Sequence, residues 1–453
     1  MKRLPGLLLP LLLLPALLPA QTPLALTPPA RDPATTATDL IDRLAKGDFQ
    51  AAASPFADAM RAAAPPEKLA EIWTAVQNQM GAYKRRAGVR TEKQGGYDVA
   101  FVTVEFERST ADFKVVVDTA GRIAGFFIVP PQQPAAAPDS TPPAAYVHKD
   151  AFREREVTVG TGEWALPGTL SVPVGAGPFP AVVLVHGSGP NDRDETVEGN
   201  KPFRDLAWGL ASRGVAVLRY EKRTRQHGAK LAAVKDFTVR QETVDDALAA
   251  ADLLRHTEGI DPRRVFVLGH SLGGMLIPRI GQRDPQLAGL IVMAGAAKPL
   301  EDIILEQVAY IDAADGAVTD AEKSRLESLR AEVARVKALK PGATGTALGA
   351  PVSYWLDLQG YNPPEAAKAL KQPLLILQGE RDYQVTMDNF AAWKQALPNA
   401  AFHTYPKLNH LFVEGEGKST PKEYEKPGHV SEAVIADIAE WIGWTRKQES
   451  PLR

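Results

Sequence analysis

Val265-Phe266-Val267-Leu268-Gly269-His270-Ser271-Leu272-Gly273-Gly274 is the stretch on which the rest of the chain turns. Four consecutive apolar residues describe a strand buried on both faces, as in a parallel sheet. Gly-x-Ser-x-Gly follows at once, and residues 272–280 begin a helix pattern. This is the sequence form of a nucleophile elbow, where a strand turns sharply into a helix and lifts a serine hydroxyl clear of the sheet. Gly269 and Gly273 leave room where a Cβ would obstruct the turn. A free serine hydroxyl is a poor nucleophile near neutral pH. Ser271 therefore matters only if the chain also supplies a base, an acid to orient that base, and donors for an oxyanion.

The acid and then the base should follow the serine in the chain. Leu374-Leu375-Ile376-Leu377 reads as another buried strand, and Gln378-Gly379-Glu380-Arg381-Asp382 as the turn after it. Asp382 is the chosen acid. Glu380 competes, but it sits so near the strand end that it should point elsewhere or pair with Arg381. Asp388 falls inside the next helix. Ala401-Phe402-His403-Thr404-Tyr405 reads as one more strand, and His410 lies in the loop beyond it. His410 is the candidate base, because His403 is held mid-strand. One oxyanion donor is the N–H of Leu272. The second comes from the loop after Ala181-Val182-Val183-Leu184-Val185, with Ser188 preferred and Gly189 the alternative. His186 reads as a residue that packs the turn.

These pieces resemble the α/β-hydrolase superfamily, and more narrowly secreted or periplasmic serine esterases related to its serine aminopeptidase-like branch. The resemblance runs from about Phe152 to the C-terminus. It is carried by residues 186–194 (HGSGPNDRD), 200–207 (NKPFRDLA), 219–223 (RYEKR), the elbow at 269–274, and the segments at 379–382 and 408–412. It implies an esterase-type acyl hydrolase with Ser271 as nucleophile, Asp382 as acid and His410 as base. No cofactor and no metal is required by such chemistry.

The chain has 453 residues, 52 basic and 54 acidic, with a net charge of −2. No basic stripe points to nucleic acid. With no cysteine there is neither a disulfide nor a lipid-attachment thiol, so each domain must be held by its core alone. Lys2 and Arg3 precede an apolar run at 7–18 that ends Leu18-Pro19-Ala20. That pattern predicts a signal peptide at 1–20 and a secreted or periplasmic protein. A retained anchor is the alternative, although the run is short and broken by proline for a span of about 20 residues.

A flexible segment is expected at 21–34. A small α+β domain follows at 35–130, with helical patterns first (Leu40, Ile41, Leu44; Leu69, Ile72, Trp73, Val76) and alternating strands afterwards. It resembles the cone-shaped, nuclear-transport-factor-like domain that precedes some hydrolases of this kind, and it carries no catalytic set. A Pro/Ala-rich linker at 131–149 leads to the hydrolase at 150–453. Alternating strands and helices there predict a mainly parallel sheet with helices on both faces. Residues 298–372 read as a mostly helical cap over Ser271, with Tyr354 and Trp355 as candidate pocket residues.

The first reading is a secreted serine hydrolase that cleaves small carboxylic esters through an acyl-enzyme. A serine peptidase, an aminopeptidase or an acyltransferase with the same triad is the second, since pocket shape separates these. A non-catalytic envelope-binding protein is the third.

Overall fold

The computed structural model describes residues 32–94, 97–107, 110–129, 141–231 and 233–448. The expected signal peptide and nearly all of the segment after it lie outside the described residues. The chain divides near residue 139 into two compact units.

In the first unit, helices Pro33–Ala45, Phe49–Ala53, Asp58–Ala63 and Pro66–Met80 precede four antiparallel strands in the order β1-β2-β3-β4. These are β1 (Tyr83–Gln94), β2 (Tyr97–Phe106), β3 (Thr110–Val117) and β4 (Ile123–Val129). Ala100, Val102, Val104 and Phe106 of β2 join Leu40, Ile41, Leu44 and Trp73 of the helices in one core. That alternation is what a strand with one covered face requires. Two expectations are corrected. Residues 33 and 34 are helical rather than flexible, because Pro33 takes the first helical position and Asp32 caps it through Thr35 N at 3.0 Å. Strand β1 was not anticipated. It is an edge strand rich in Lys, Arg and Glu, and it shows no run of apolar residues to betray its period.

The second unit is built on an eight-stranded sheet ordered β14-β13-β10-β9-β7-β8-β6-β5. Its strands are β5 (Phe152–Val159), β6 (Leu166–Pro173), β7 (Phe179–Val185), β8 (Ala216–Tyr220), β9 (Ile260–His270), β10 (Gly289–Met293), β13 (Leu374–Gly379) and β14 (Ala401–Tyr405). A hairpin of two-residue strands, β11 (Thr346–Ala347) and β12 (Ala350–Pro351), stands apart from it. Strands β5 and β6 are antiparallel, and all pairings from β8 through β14 are parallel.

The continuous apolar runs have a simple cause. Val183, Val185, Val265 and Val267 face one core, shared with helices Asp245–Arg255 and Leu272–Arg283. Their neighbours Val182, Leu184, Phe266 and Leu268 face a second core, shared with helices Pro202–Ala211 and Glu432–Gln448. Both faces of the sheet are covered, so both side-chain sets must be apolar. Tyr146 belongs to the second core, and its hydroxyl donates to Val430 O at 2.7 Å. The end of the expected linker is thus packed structure.

Between β10 and β13 the chain forms helices Leu300–Asp312, Asp320–Lys337, Val352–Leu358 and Pro363–Ala367. Val352–Leu358 was not foreseen as a helix. It carries Tyr354 and Trp355 into the core, which bears on the site below. Among the described residues no helix is long and apolar enough to cross a membrane.

Candidate active site

Strand β9 ends at His270, and helix Leu272–Arg283 begins with one residue between them. Ser271 makes the turn with φ 53° and ψ −115°. A non-glycine residue at positive φ is strained, and such strain gathers at functional sites. The turn closes because its glycines lack Cβ atoms. A Cβ on Gly273 would lie 2.2 Å from Val185 O, and one on Gly269 2.3 Å from the Gly273 carbonyl carbon. Neither contact can be relieved by moving a flexible side chain, since both involve backbone.

The acid and base loops meet by a similar device. A Cβ on Gly379 would sit 2.5 Å from Leu408 O. Without it, Glu380 N donates to Tyr405 O at 3.0 Å and Arg381 N to Leu408 O at 3.0 Å. This close seam sets His410 Nδ1 2.7 Å from Asp382 Oδ2, and both residues are buried. Asp382 is held in turn. Its Oδ1 accepts from Gln384 N at 2.8 Å and Val385 N at 3.0 Å, and its Oδ2 from Gln378 Nε2 at 3.1 Å. A carboxylate so supplied with donors is fixed in orientation. With Nδ1 engaged by Asp382, Nε2 of His410 is left for chemistry.

Ser271 and His410 border one cavity of about 320 Å³. Also on its wall are Ser188, Asn191, Glu195, Gln307, Tyr383, Gln384 and Tyr424. No hydrogen bond joins the Ser271 hydroxyl to His410 here. Nucleophile–base contacts of this kind commonly tighten only in the Michaelis complex. Ser188 lines the cavity and Gly189 does not. Gly187 N is already taken by Glu195 Oε1 at 2.5 Å, whereas Ser188 N has no partner among the described residues. Leu272 opens its helix, where backbone N–H groups lack intrahelical carbonyls.

Several residues fall elsewhere than expected. Tyr354 and Trp355 do not line the cavity, which corrects their assignment as pocket residues. Both are buried in the main core. The Tyr354 hydroxyl donates to Glu242 Oε2 at 2.9 Å, and Trp355 Nε1 donates to Ala347 O at 2.6 Å. Helix Val352–Leu358 is tied to the 237–242 segment and to helix Leu272–Arg283, through Ser353 Oγ to Phe237 O at 2.8 Å and Arg279 to Asp357 at 3.1 Å. From the inserted segment it is Gln307, on helix Leu300–Asp312, that reaches the cavity. Glu380 accepts from Thr404 Oγ1 at 2.8 Å, while Arg381 pairs with Glu423 rather than with its neighbour. His403 is partly exposed in β14, with Nδ1 3.3 Å from Asp437. His186 is buried against Phe203 and Tyr220, and burial lowers its pKa to about 4, so it is neutral near pH 7.

Two buried groups beside the serine escaped the sequence reading. His270 occupies the variable position of the elbow motif, and Glu195 directly follows the HGSGPNDRD run. Glu195 Oε2 lies 2.8 Å from His270 Nδ1, and His270 Nε2 lies 2.9 Å from His410 O. Burial acts to raise the Glu195 pKa, but the adjacent His270 charge overrides it and holds the carboxyl below its usual range. Burial likewise acts to lower His270, and the Glu195 carboxylate overrides that and raises it. Glu195 also has φ 51°, a strained backbone for a non-glycine residue. Its signal in sequence is only an acid after a loop rich in Asp.

The remaining wall is aromatic and amide. Tyr383 stacks between Tyr310 at 5.0 Å and Tyr424 at 6.4 Å, and Gln384 Nε2 donates to the Tyr424 hydroxyl at 2.9 Å. Burial pushes the Tyr383 phenol up to about 12, so it faces the cavity as a neutral hydroxyl. No group of three or more His, Asp or Glu is placed to hold a metal among the described residues.

A serine at a strained strand-to-helix turn, a histidine–carboxylate pair whose histidine borders the same cavity, and a mainly parallel sheet define an α/β-hydrolase. The profile of the family described as "Alpha/beta hydrolase family" matches residues 182–425, and that of a family described as "Protein of unknown function (DUF3887)" matches residues 37–126 of the first unit. The chain is 37% identical over 407 residues to Esterase EstD of Thermotoga maritima, covering 89% of this chain and 93% of that protein. It is 25% identical over 274 residues to a monoacylglycerol lipase of Mycolicibacterium smegmatis, covering 58% of this chain and 88% of that one. Among solved structures, Est1E from Butyrivibrio proteoclasticus aligns at a TM-score of 0.42 and 16% identity, over 64% of this chain and 99% of that one. The chain belongs to the α/β-hydrolase family, and within it is a carboxylesterase-like hydrolase.

Proposed function

We propose that the protein is an exported serine esterase acting on small carboxylic esters. Ser271 attacks the ester carbonyl while His410 Nε2 takes its proton. The N–H groups of Leu272 and Ser188 hold the oxyanion. His410 then protonates the departing alkoxide, leaving an acyl-enzyme on Ser271. Water, deprotonated by His410, attacks that acyl group and releases the acid. Asp382 keeps the His410 tautomer and stabilises the imidazolium without exchanging a proton.

The observation that carries this reading is the 2.7 Å contact between His410 and Asp382 on the cavity that Ser271 borders. A volume of about 320 Å³ is near the lower end of ligand cavities, roughly 300–1,000 Å³, and supports a small substrate. The relationship to Esterase EstD supports ester over peptide hydrolysis. Export rests on the basic, apolar and small-residue pattern of residues 1–20.

The test is labelling of purified protein with a fluorophosphonate, followed by turnover of p-nitrophenyl esters and aminoacyl anilides. Stoichiometric label on Ser271 with ester turnover alone is expected. Label on another residue would remove Ser271 from its role, and faster anilide turnover would replace the esterase reading with a peptidase. Sequencing the N-terminus of the protein from a producing cell should find Gln21 first.

A further inference from the structure

The sequence motif Arg219-Tyr220-Glu221-Lys222-Arg223 has no part in the triad, yet it puts a lysine under the oxyanion loop. Lys222 is 2% exposed, and its Nζ donates to Gly187 O at 2.7 Å. That carbonyl belongs to the same peptide unit as the Ser188 N–H. The peptide is trans, so its C=O and N–H point in opposite directions. Whatever fixes Gly187 O therefore aims Ser188 N–H. Asn191 Nδ2 also donates to Gly187 O, at 3.1 Å, and the Lys222 backbone N donates to Asn191 O at 3.1 Å.

The preceding peptide is fixed from the other side, since Glu195 Oε1 accepts from Gly187 N. A buried cation and a buried carboxylate thus grip Gly187 at its two polar atoms. The carboxylate consumes the N–H on the other side of Gly187. The cation polarises the peptide whose N–H remains open, and a hydrogen bond to the carbonyl end strengthens donation at the other. Lys222 is itself anchored. Glu242 Oε1 stands 3.3 Å from its Nζ, and Tyr354 holds the other oxygen of Glu242. Glu242 lies in a π-helical turn, Arg240–Val244, of a type frequent at functional sites.

We infer that Lys222 is a positioning residue of the oxyanion hole, acting through the Gly187–Ser188 peptide. This rests on Ser271 being the nucleophile, as proposed above. It assigns the buried Lys222–Glu242–Tyr354 chain a part in turnover rather than in packing alone.

The experiment uses full-length protein and three readouts: kcat and KM on a p-nitrophenyl ester, Ki for a trifluoromethyl ketone, and the count of sites labelled by fluorophosphonate at end point. The ketone forms a tetrahedral oxyanion with the serine, so its Ki reports the hole and not the ground state. Lys222→Met should keep its label count and lower kcat by about 10²-fold, the range seen when one oxyanion donor is lost. KM should move by less than about threefold, while the ketone Ki rises in step with the fall in kcat/KM. Lys222→Arg should recover part of both losses. A kcat within about threefold of wild type in Lys222→Met, or a fall in kcat with Ki unmoved, would overturn the assignment. Failure of the underlying reading looks different, because wild-type protein would then carry no label on Ser271. If Lys222→Met does not fold, Asn191→Ala decides the matter, since it removes the other donor to Gly187 O. It should lower kcat roughly fivefold with a parallel rise in Ki, as for one hydrogen bond, and no change in either would overturn the proposal.

Discussion

Two buried histidine–carboxylate pairs lie side by side at the candidate site, with their imidazole centroids 4.7 Å apart, and they differ in one nitrogen. In the loops after β13 and β14, His410 meets Asp382 at 2.7 Å. Between the end of β9 and the loop after β7, His270 meets Glu195 at 2.8 Å. Both pairs are almost wholly buried. His410 keeps Nε2 free of protein partners among the described residues, whereas Nε2 of His270 is engaged by His410 O. Asp382 is saturated by three donors, whereas Glu195 Oε2 and His270 Nδ1 touch each other without an aligned hydrogen bond. The lesson is that proximity of an imidazole to a carboxylate does not make a proton carrier. The proposed base also needs a second nitrogen free of protein partners, which His410 has and His270 lacks among the described residues. The second pair is built to hold, binding the loop after β7 at Gly187 N to the backbone of His410.

The largest effects should separate the two pairs at once. Ser271→Ala and His410→Ala should each lower kcat by about 10⁶-fold, because members of a triad act as a unit. Steady-state kinetics on a p-nitrophenyl ester, with circular dichroism to verify the fold, measures this. Comparable loss in His270→Gln would break the comparison by making His270 a second proton carrier.

Next come the two acids. Asp382→Asn should lower kcat by about 10⁴-fold through the wrong imidazole tautomer. Glu195→Gln should cost roughly 10- to 100-fold, as for loss of a charge-assisted hydrogen bond that positions a loop. Kinetics on both variants in one assay would reverse the assignment of the two pairs if Glu195→Gln proved the more damaged enzyme.

A smaller effect should appear in stability against pH. His270 has a raised pKa in the folded protein, owing to the Glu195 carboxylate against the pull of burial. Its contribution is therefore complete below its ordinary 6.5 and is lost as pH rises through the folded value. Glu195 has a lowered pKa, owing to the His270 charge against burial. Its contribution is complete above its ordinary 4.5 and is lost as pH falls through the folded value. The Tm gap between wild type and the double variant Glu195→Gln/His270→Gln should be widest between pH 4.5 and 6.5. Calorimetry that found a gap independent of pH would show that the pair is not ionised.

The smallest effect is expected from a third histidine–carboxylate contact. His403 and Asp437 lie 3.3 Å apart with side chains 44% and 28% exposed. Exposed pairs contribute about 0–1 kcal/mol, so His403→Ala should leave kcat/KM within about twofold of wild type. The same kinetic assay checks it.

Much of the site could be read in one dimension because its chemistry is tied to strand ends. Ser271 and Asp382 each follow a strand buried on both faces, which writes residues 265–268 and 374–377 as unbroken apolar runs, whereas His410 follows the partly exposed edge strand β14. The elbow glycines were equally legible, since no other residue fits where backbone passes within van der Waals distance. Strand β1 was not legible, because an exposed edge strand needs no apolar residues. Tyr354 and Trp355 were misplaced for a related reason. An aromatic pair in a cap reads the same whether it faces a pocket or a core, and only the packing of helix Val352–Leu358 distinguishes them.

By itself, then, the order of residues determined the class of sheet, the elbow, and the candidate serine, acid and base. Tertiary structure alone decided what surrounds them. Glu195 comes from the loop after β7, Lys222 from just beyond β8, His270 from the end of β9, and Glu242 from the π-helical turn between β8 and β9. Their charges have no spacing rule that could announce them. They act together because the sheet brings β7, β8 and β9 side by side, where burial makes each charge depend on the next.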